Sequence, residues 1–138
     1  VNGNESGVAI GRSEYLTIED NYFENCTIKS SAEENPYFLK ILDNSFVLSF
    51  GESGSYSEII GLYPLGFYRQ AKINGNTVTI TKLTGNTITT NRLVRHTNPF
   101  EYSQVCYNSM ILNGNAVFLE WINTADTTGT IIANNTNN

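Results

Sequence analysis

The chain has 138 residues, a net charge of −5 and a sequence pI near 4.7. Its length fits one domain, and its eight Lys and Arg residues form no run, which argues against a surface for nucleic acid. No apolar stretch approaches the roughly 18 residues of a membrane-spanning helix. We therefore expect a single domain with neither a nucleic-acid partner nor membrane insertion.

The composition favours strands and turns over helices. Charged residues make up only 15% of the chain, and 19 Asn, 15 Thr and 11 Gly supply much of the remainder. Thr and the aromatic residues favour strands, whereas Asn and Gly favour turns with left-handed backbone. The sequence therefore predicts an all-β protein.

A short pattern recurs along the chain: an aliphatic residue, any residue, then Asp, Gly or Asn, then Asn, any residue and an apolar residue. Each copy predicts a strand, a sharp bend and a second strand, with the aliphatic and apolar residues pointing inward. In chain order the clear copies span residues 18–23, 41–46, 73–78, 83–88 and 112–117, and weaker copies span 1–4 and 132–137.

The Asn that each copy shares is expected to form the corner. Asn tolerates the left-handed conformation and bonds local backbone through its amide, so successive copies could stack their Asn side chains into a ladder. On this hypothesis Asn44→Val should cost roughly 1–3 kcal/mol, and Asn44→Gly should be much milder. The predicted corner residues are Asn21, Asn44, Asn76, Asn86, Asn115 and Asn135, with Asn4 in the weak first copy.

The spacing of the copies predicts a solenoid. Several intervals lie near the ~20 residues of a solenoid coil, and longer ones fit a coil with an insertion. The short interval between Asn76 and Asn86 implies two corners of one coil. The alternative is an antiparallel β-sandwich, because Asn-Gly at 74–75 and at 113–114 is a hairpin signal. Sandwich turns recur every ~8–12 residues, however, and this motif mostly returns at about twice that interval.

These copies resemble the corner phrase of the right-handed parallel β-helix (pectate-lyase-like) superfamily over nearly the whole chain. The resemblance implies a rigid flat face on which a polysaccharide lies. Among such proteins, the Asn- and Thr-rich, Lys-poor composition is most similar to a bacteriophage tailspike or tail fibre. That likeness implies a bacterial surface polysaccharide as partner, a homotrimer, and an extracellular or virion location. We expect residues 1–138 to be one β-helix segment of a longer chain, since the repeat reaches both ends and the sequence starts at Val1.

Two predicted insertions, at 51–70 and 91–108, carry aromatic and charged side chains suited to sugar recognition. Trp121 follows the second insertion, and strand alternation over 117–122 makes it equally a core candidate. The predicted ligand-binding residues are Tyr56, Tyr63, Tyr68, Arg95, Tyr102 and Trp121.

Catalysis is left open by the sequence. A hydrolase needs two carboxylates, and a lyase needs a base beside a cation, for which His96 next to Arg95 is a candidate. Nothing in the sequence brings two carboxylates together, so the alternatives to recognition are a secreted polysaccharide lyase or hydrolase and a non-enzymatic adhesive shaft. The weak catalytic candidates are Glu52, Glu58, Glu101, Glu120 and His96.

No metal or cofactor is expected. Cys26 and Cys106 form no metal-ligand spacing with the single His96. Two cysteines are too few for a disulfide scaffold, so the sequence favours two small buried residues over a disulfide.

Overall fold

The structure is a computed structural model that describes residues 7–10, 14–30, 38–50, 58–62, 68–82, 90–96, 100–112, 115–121 and 128–138. All regular secondary structure in these residues is β. The strands are β1 (Gly7–Ile10), β2 (Tyr15–Glu19), β3 (Tyr22–Glu24), β4 (Thr27–Ser30), β5 (Phe38–Leu42), β6 (Ser45–Phe50), β7 (Glu58–Leu62), β8 (Tyr68–Arg69), β9 (Lys72–Asn74), β10 (Thr77–Lys82), β11 (Thr90–His96), β12 (Phe100–Glu101), β13 (Gln104–Cys106), β14 (Ser109–Ile111), β15 (Asn115–Trp121), β16 (Ile131–Ala133) and β17 (Thr136–Asn137).

The strands form three five-stranded sheets and one two-stranded sheet. Sheet A has the order β1-β4-β7-β11-β15, sheet B has β2-β5-β9-β13-β16, and sheet C has β3-β6-β10-β14-β17. The short sheet D pairs β8 with β12. Every pairing between described strands is parallel. The all-β prediction is confirmed, and the antiparallel sandwich is wrong for the described residues.

The chain visits the sheets in a repeating order, from B to C to A. We define coil 1 as β2–β4, coil 2 as β5–β7, coil 3 as β8–β11, coil 4 as β12–β15 and coil 5 as β16–β17. Coils 3 and 4 are the longer ones that contribute a strand to sheet D before entering sheet B. Three parallel sheets visited in a fixed order are consistent with a β-solenoid.

The core is built from rows of side chains that repeat at the same place in each coil. On sheet B, Ile41, Ile73 and Val105 are aligned by strand register, and all three are buried. On sheet C, the rings of Phe23 and Phe46 stack at 4.7 Å in the same manner. The aliphatic and apolar positions of the motif therefore face inward, where burial stabilises by ~25 cal/mol per Å² of apolar surface.

An asparagine ladder joins the coils at the corner between sheets B and C. The Oδ1 atom of Asn76 accepts two hydrogen bonds from Asn44, one from its backbone N–H at 3.1 Å and one from its side-chain Nδ2 at 3.0 Å. The Oδ1 atom of Asn108 accepts the same two hydrogen bonds from Asn76. The Nδ2 atoms of the later members also donate to a backbone carbonyl of the preceding coil, as Asn76 does to Ile41 at 2.9 Å, whereas Asn21 Nδ2 donates to the Glu19 carbonyl of its own coil. The members of the ladder are Asn21, Asn44, Asn76, Asn108 and Asn135.

The ladder corrects the placement of the fourth corner. Asn115, the predicted corner, is the first residue of β15 and pairs with Thr90 in sheet A. Asn108 occupies the ladder position of coil 4 instead, because the Val105–Met110 segment carries the motif with Tyr107 in place of Asp or Gly. Asn4 and Asn86 lie outside the described residues.

The left-handed residue is the one before the ladder Asn. Asp43 has a φ of 52° and Gly75 a φ of 72°, whereas Asn44 and Asn76 have ordinary negative φ. The expectation that the Asn itself adopts the left-handed conformation is therefore wrong. Asn is required at its own position by the ladder hydrogen bonds, and Asp, Gly or Asn is favoured at the position before it by the backbone.

The two cysteines form no disulfide. Cys106 is buried and Cys26 is half-buried, and both are free thiols. The prediction of a small buried residue is confirmed for Cys106.

Candidate functional site

The outer face of sheet B is flat and held in strict register. Along β5, Leu39 and Ile41 are buried while Lys40 between them is exposed, which is the alternation of a strand with one face in the core. Lys40 pairs with Lys72, which pairs with Gln104, so these side chains form a row across adjacent coils. The same row includes Thr17 in coil 1 and the exposed Ile131 in coil 5, so its polar part lies in coils 1 to 4, on strands about 4.8 Å apart.

Two exposed tyrosines flank β13 at the two corners that border this face, Tyr102 before the strand and Tyr107 after it. Tyr102 is 59% exposed and Tyr107 is 65% exposed. Both have left-handed backbone, with φ of 49° and 59°. Holding a residue other than Gly in this region costs on the order of 1–3 kcal/mol, and bulky side chains are rare there.

Tyr102 occupies the corner that leads into sheet B. Its N–H donates to the Thr128 carbonyl at 2.9 Å. A Cβ atom added to Gly129, the residue at the equivalent position of coil 5, would lie 2.5 Å from the Tyr102 Cδ1 atom. The Tyr102 ring therefore leans over Gly129. Gln70, with a φ of 56°, occupies this position in coil 3.

A hydroxyl ladder follows this corner. The Ser103 Oγ atom accepts the Ala71 N–H at 3.0 Å and donates to the Glu101 carbonyl at 2.8 Å. Thr130 repeats the pattern in coil 5, where its Oγ1 atom donates to the Phe100 carbonyl. These hydrogen bonds fix the backbone beside Tyr102. The Tyr102 ring takes part in neither the hydroxyl ladder nor the asparagine ladder.

Tyr107 stands on the corner that leads out of sheet B. Its N–H donates to the Ala133 carbonyl at 3.2 Å, and the Gly75 N–H donates to the Cys106 carbonyl at 3.1 Å. Tyr107 thus follows Gly75 along the solenoid. On the other side of Gly75, the Asp43 carboxylate leans across it, so a Cβ on Gly75 would lie 2.0 Å from Asp43 Oδ1. At this corner Asp43 of coil 2, Gly75 of coil 3 and Tyr107 of coil 4 therefore follow one another.

A further aromatic pair marks the other end of the face. Tyr15 and Phe38 stack at 4.9 Å with an interplanar angle of 10°, and they are paired by the register of β2 and β5. Tyr15 is exposed. The outer face of sheet B thus carries exposed aromatic rings in coil 1 and in coil 4.

Residues from the two predicted insertions meet on sheet A. The Arg95 Nη1 atom lies 3.5 Å from Glu58 Oε2, because β11 pairs with β7. Glu58 is only 7% exposed. Arg95, predicted to bind ligand, therefore engages a buried carboxylate of its own chain.

His96 is fully buried, and its ring lies 5.2 Å from that of Phe100. A general base must come within hydrogen-bonding reach of the proton it removes. Because the His96 side chain is buried, a ligand on the surface does not reach it in this structure.

The remaining predicted site residues are only partly described. Glu101 is half-buried in β12, apart from sheet A. For Tyr68, Glu120 and Trp121 the structure gives only the strand, β8 for the first and β15 for the other two. Glu52, Tyr56 and Tyr63 lie outside the described residues. Their proposed roles stay predictions.

Tyr107 is the exposed aromatic that the sequence does not single out for ligand binding. Its signal is a Tyr at the motif position where the other copies have Asp, Gly or Asn. A bulky residue in that left-handed position is a departure that the backbone does not favour.

Comparison with protein-family models, curated proteins and solved structures found no match. Within the described residues, no helix is long and apolar enough to cross a membrane. In that same part of the chain, no three His, Cys, Asp or Glu side chains are grouped as a metal site would need.

Proposed function

We propose that the chain is a segment of a right-handed parallel β-helix that binds an extended polysaccharide on the outer face of sheet B. The observation that carries the proposal is the row of exposed aromatic and polar side chains on this register-locked face. Sugar rings bind aromatic side chains through their apolar side, while amides and charged groups hold the hydroxyls. Tyr102, Tyr107, Gln104 and the two lysines supply both kinds of group.

The biological setting proposed is a tailspike-like protein that recognises a bacterial surface polysaccharide. Its support is the resemblance of the corner motif to parallel β-helices and of the composition to bacteriophage tailspikes. On this proposal the protein is extracellular or part of a virion, and it acts as a homotrimer.

Recognition without cleavage is favoured over hydrolysis by the state of the candidate groups. Glu58 is buried against Arg95, and His96 is fully buried. A hydrolase needs two carboxyl groups that flank the scissile bond, and Glu58 and Glu101 belong to different sheets.

The test is a binding screen of the purified protein against immobilised capsular polysaccharides and O-antigens from bacteria. We expect selective binding that Gln104→Glu weakens about tenfold, because the amide donor on sheet B is replaced by a carboxylate. Thr81→Glu is the control, since it adds the same charge on the exposed surface of sheet C.

Three outcomes would contradict this proposal. If the wild-type protein binds no polysaccharide, the proposed function is wrong. If Gln104→Glu and Thr81→Glu lose affinity equally, the polysaccharide does not bind on sheet B. If the wild-type protein releases reducing ends from a bound polysaccharide and Glu101→Gln does not, the protein cleaves its ligand and does not only bind it.

A further inference from the structure

We propose that Tyr102 and Tyr107 are the two stacking platforms of a single site for pyranose rings, which runs along β13 across one coil. The bound chain therefore crosses the solenoid rather than following its axis. This inference rests on the proposed function, because it specifies where and in which direction the polysaccharide lies.

The first argument is that both tyrosines have a strained backbone that burial of their side chains does not offset. Both tyrosines hold left-handed backbone, which disfavours bulky side chains. Neither gains the burial that would offset this cost, since more than half of each side chain is exposed. Strained residues of this kind concentrate at functional sites, where they present a group in a fixed direction.

The second argument is that the fold does not require a ring at either corner. The equivalents of Tyr107 in neighbouring coils are Gly75 and Asn134, both with left-handed backbone. The equivalents of Tyr102 are Gln70 and Gly129. Gln70 and Gly75 thus make the same turns with the same backbone hydrogen bonds, so the turns themselves do not require a tyrosine.

The third argument is the polar group that lies between the rings. Five residues of extended chain place the two tyrosines roughly 16 Å apart. Between them, the half-buried Gln104 accepts a hydrogen bond from Asn74 Nδ2 at 3.2 Å, which leaves its own Nε2 as a donor to a ligand. The Asp43 carboxylate lies over Gly75, two coils before Tyr107 at the same corner, so the amide of Gln104 is the polar group that lies between the two rings.

The ligand class follows from these groups. Each ring offers an apolar platform for one face of a pyranose, and the Gln104 amide between the rings fits its hydroxyls. An oligosaccharide long enough to reach both rings should bind more tightly than one that reaches only one.

The experiment uses substitutions that the protein already contains at equivalent corners. Tyr107→Asn copies Asn134, and Tyr102→Gly copies Gly129. We expect each variant to bind the polysaccharide found in the screen about tenfold more weakly, as for loss of an aromatic anchor. We expect neither to lower the melting temperature, because both remove left-handed strain. Tyr107→Phe should retain most of the affinity.

Two matched controls test location and direction. Tyr22→Ala removes a tyrosine of similar exposure, 64%, on sheet C and should leave affinity within about twofold. Tyr15→Ala removes the ring that a polysaccharide following the solenoid axis along sheet B would contact. This variant should also leave the affinity within about twofold. Size-fractionated oligosaccharides of the same polysaccharide should show a step in affinity at the length that bridges the rings. Tyr107→Asn should abolish that step.

Several results would overturn the inference. If Tyr15→Ala weakens binding while Tyr107→Asn does not, the chain follows the axis. If Gln104→Glu weakens binding and both tyrosine variants bind normally, the proposed function stands and the two-platform site does not. If the wild-type protein binds no polysaccharide, both are overturned. A fall in melting temperature in both tyrosine variants, with affinity unchanged, would assign the rings to stability.

Discussion

Asn76 holds Asn44 at two atoms, because its Oδ1 accepts both the backbone N–H and the side-chain Nδ2 of Asn44. The two residues are 32 positions apart in sequence. Both side chains are buried, so these hydrogen bonds are made where water cannot replace them. The pair therefore fixes the register of coil 2 against coil 3.

The first prediction concerns this ladder. Asn76→Ala should destabilise by about 2–4 kcal/mol, because it leaves buried donors of Asn44 unsatisfied. Urea unfolding followed by circular dichroism measures the loss. Asn138→Ala, at an exposed asparagine, is the control and should change stability by less than about 0.5 kcal/mol. An equal effect of the two changes would show that the ladder does not stabilise the stack.

A second prediction revises the expectation for Asn44. Because the left-handed residue is Asp43, Asn44→Gly should be nearly as costly as Asn44→Val. Both variants lose the hydrogen bonds that the Asn44 side chain makes to Asn76, Asn21 and Ile18, and keep the one from the Asn44 backbone N–H. Free energies of unfolding that differ by more than about 1 kcal/mol in favour of the Gly variant would show that Asn44 itself holds the left-handed corner.

The third prediction concerns the corner glycine. Gly75→Ala should cost about 1–2 kcal/mol, because alanine is disfavoured at a φ of 72°. The Asp43 carboxylate blocks the added Cβ but can rotate away. Adding Asp43→Ala should therefore restore only a small part of the loss in a double-mutant cycle. Full restoration would mean that the contact, rather than the backbone, sets the cost.

The fourth prediction concerns the hydroxyl ladder next to Tyr102. Ser103→Ala should destabilise by about 1–2 kcal/mol, since the buried Ala71 N–H loses its acceptor. Ser49→Ala, at an exposed position of sheet C, is the matched control. Thermal unfolding compares the two, and similar melting temperatures would argue against a stabilising role for the Ser103 hydroxyl.

The fifth prediction separates structure from catalysis at Glu58. Arg95→Ala should destabilise more than Glu58→Gln, because it leaves a buried carboxylate without this cation. Polysaccharide binding by Glu58→Gln should equal that of the wild-type protein. Loss of binding with unchanged stability would instead place Glu58 in the recognition site.

The repeated motif predicts the strands and their inward residues well, because Ile41, Phe46 and Ile73 follow from local patterning alone. Which Asn joins the ladder does not follow from local pattern, since Asn115 fits the motif and lies in sheet A. The motif likewise contains two adjacent residues suited to left-handed backbone, and sequence alone does not choose between them.

The candidate site depends on register more than on sequence. Glu58 and Arg95 meet across 37 residues only because β7 pairs with β11. The sequence places both in segments suited to function but contains nothing that sets their distance. Tyr107 lies in the second predicted insertion but is not among the predicted ligand-binding residues, and only its left-handed backbone shows that a tyrosine at this motif position carries a cost.

The ladder has a direction that the sheets alone do not define. Every Oδ1 points toward the coil before its own, so the amide dipoles align along the solenoid and each polarises the next. A newly folded coil therefore meets a preformed template. We expect folding to begin at one coil and to spread to its neighbours, since each coil pairs only with the coils beside it.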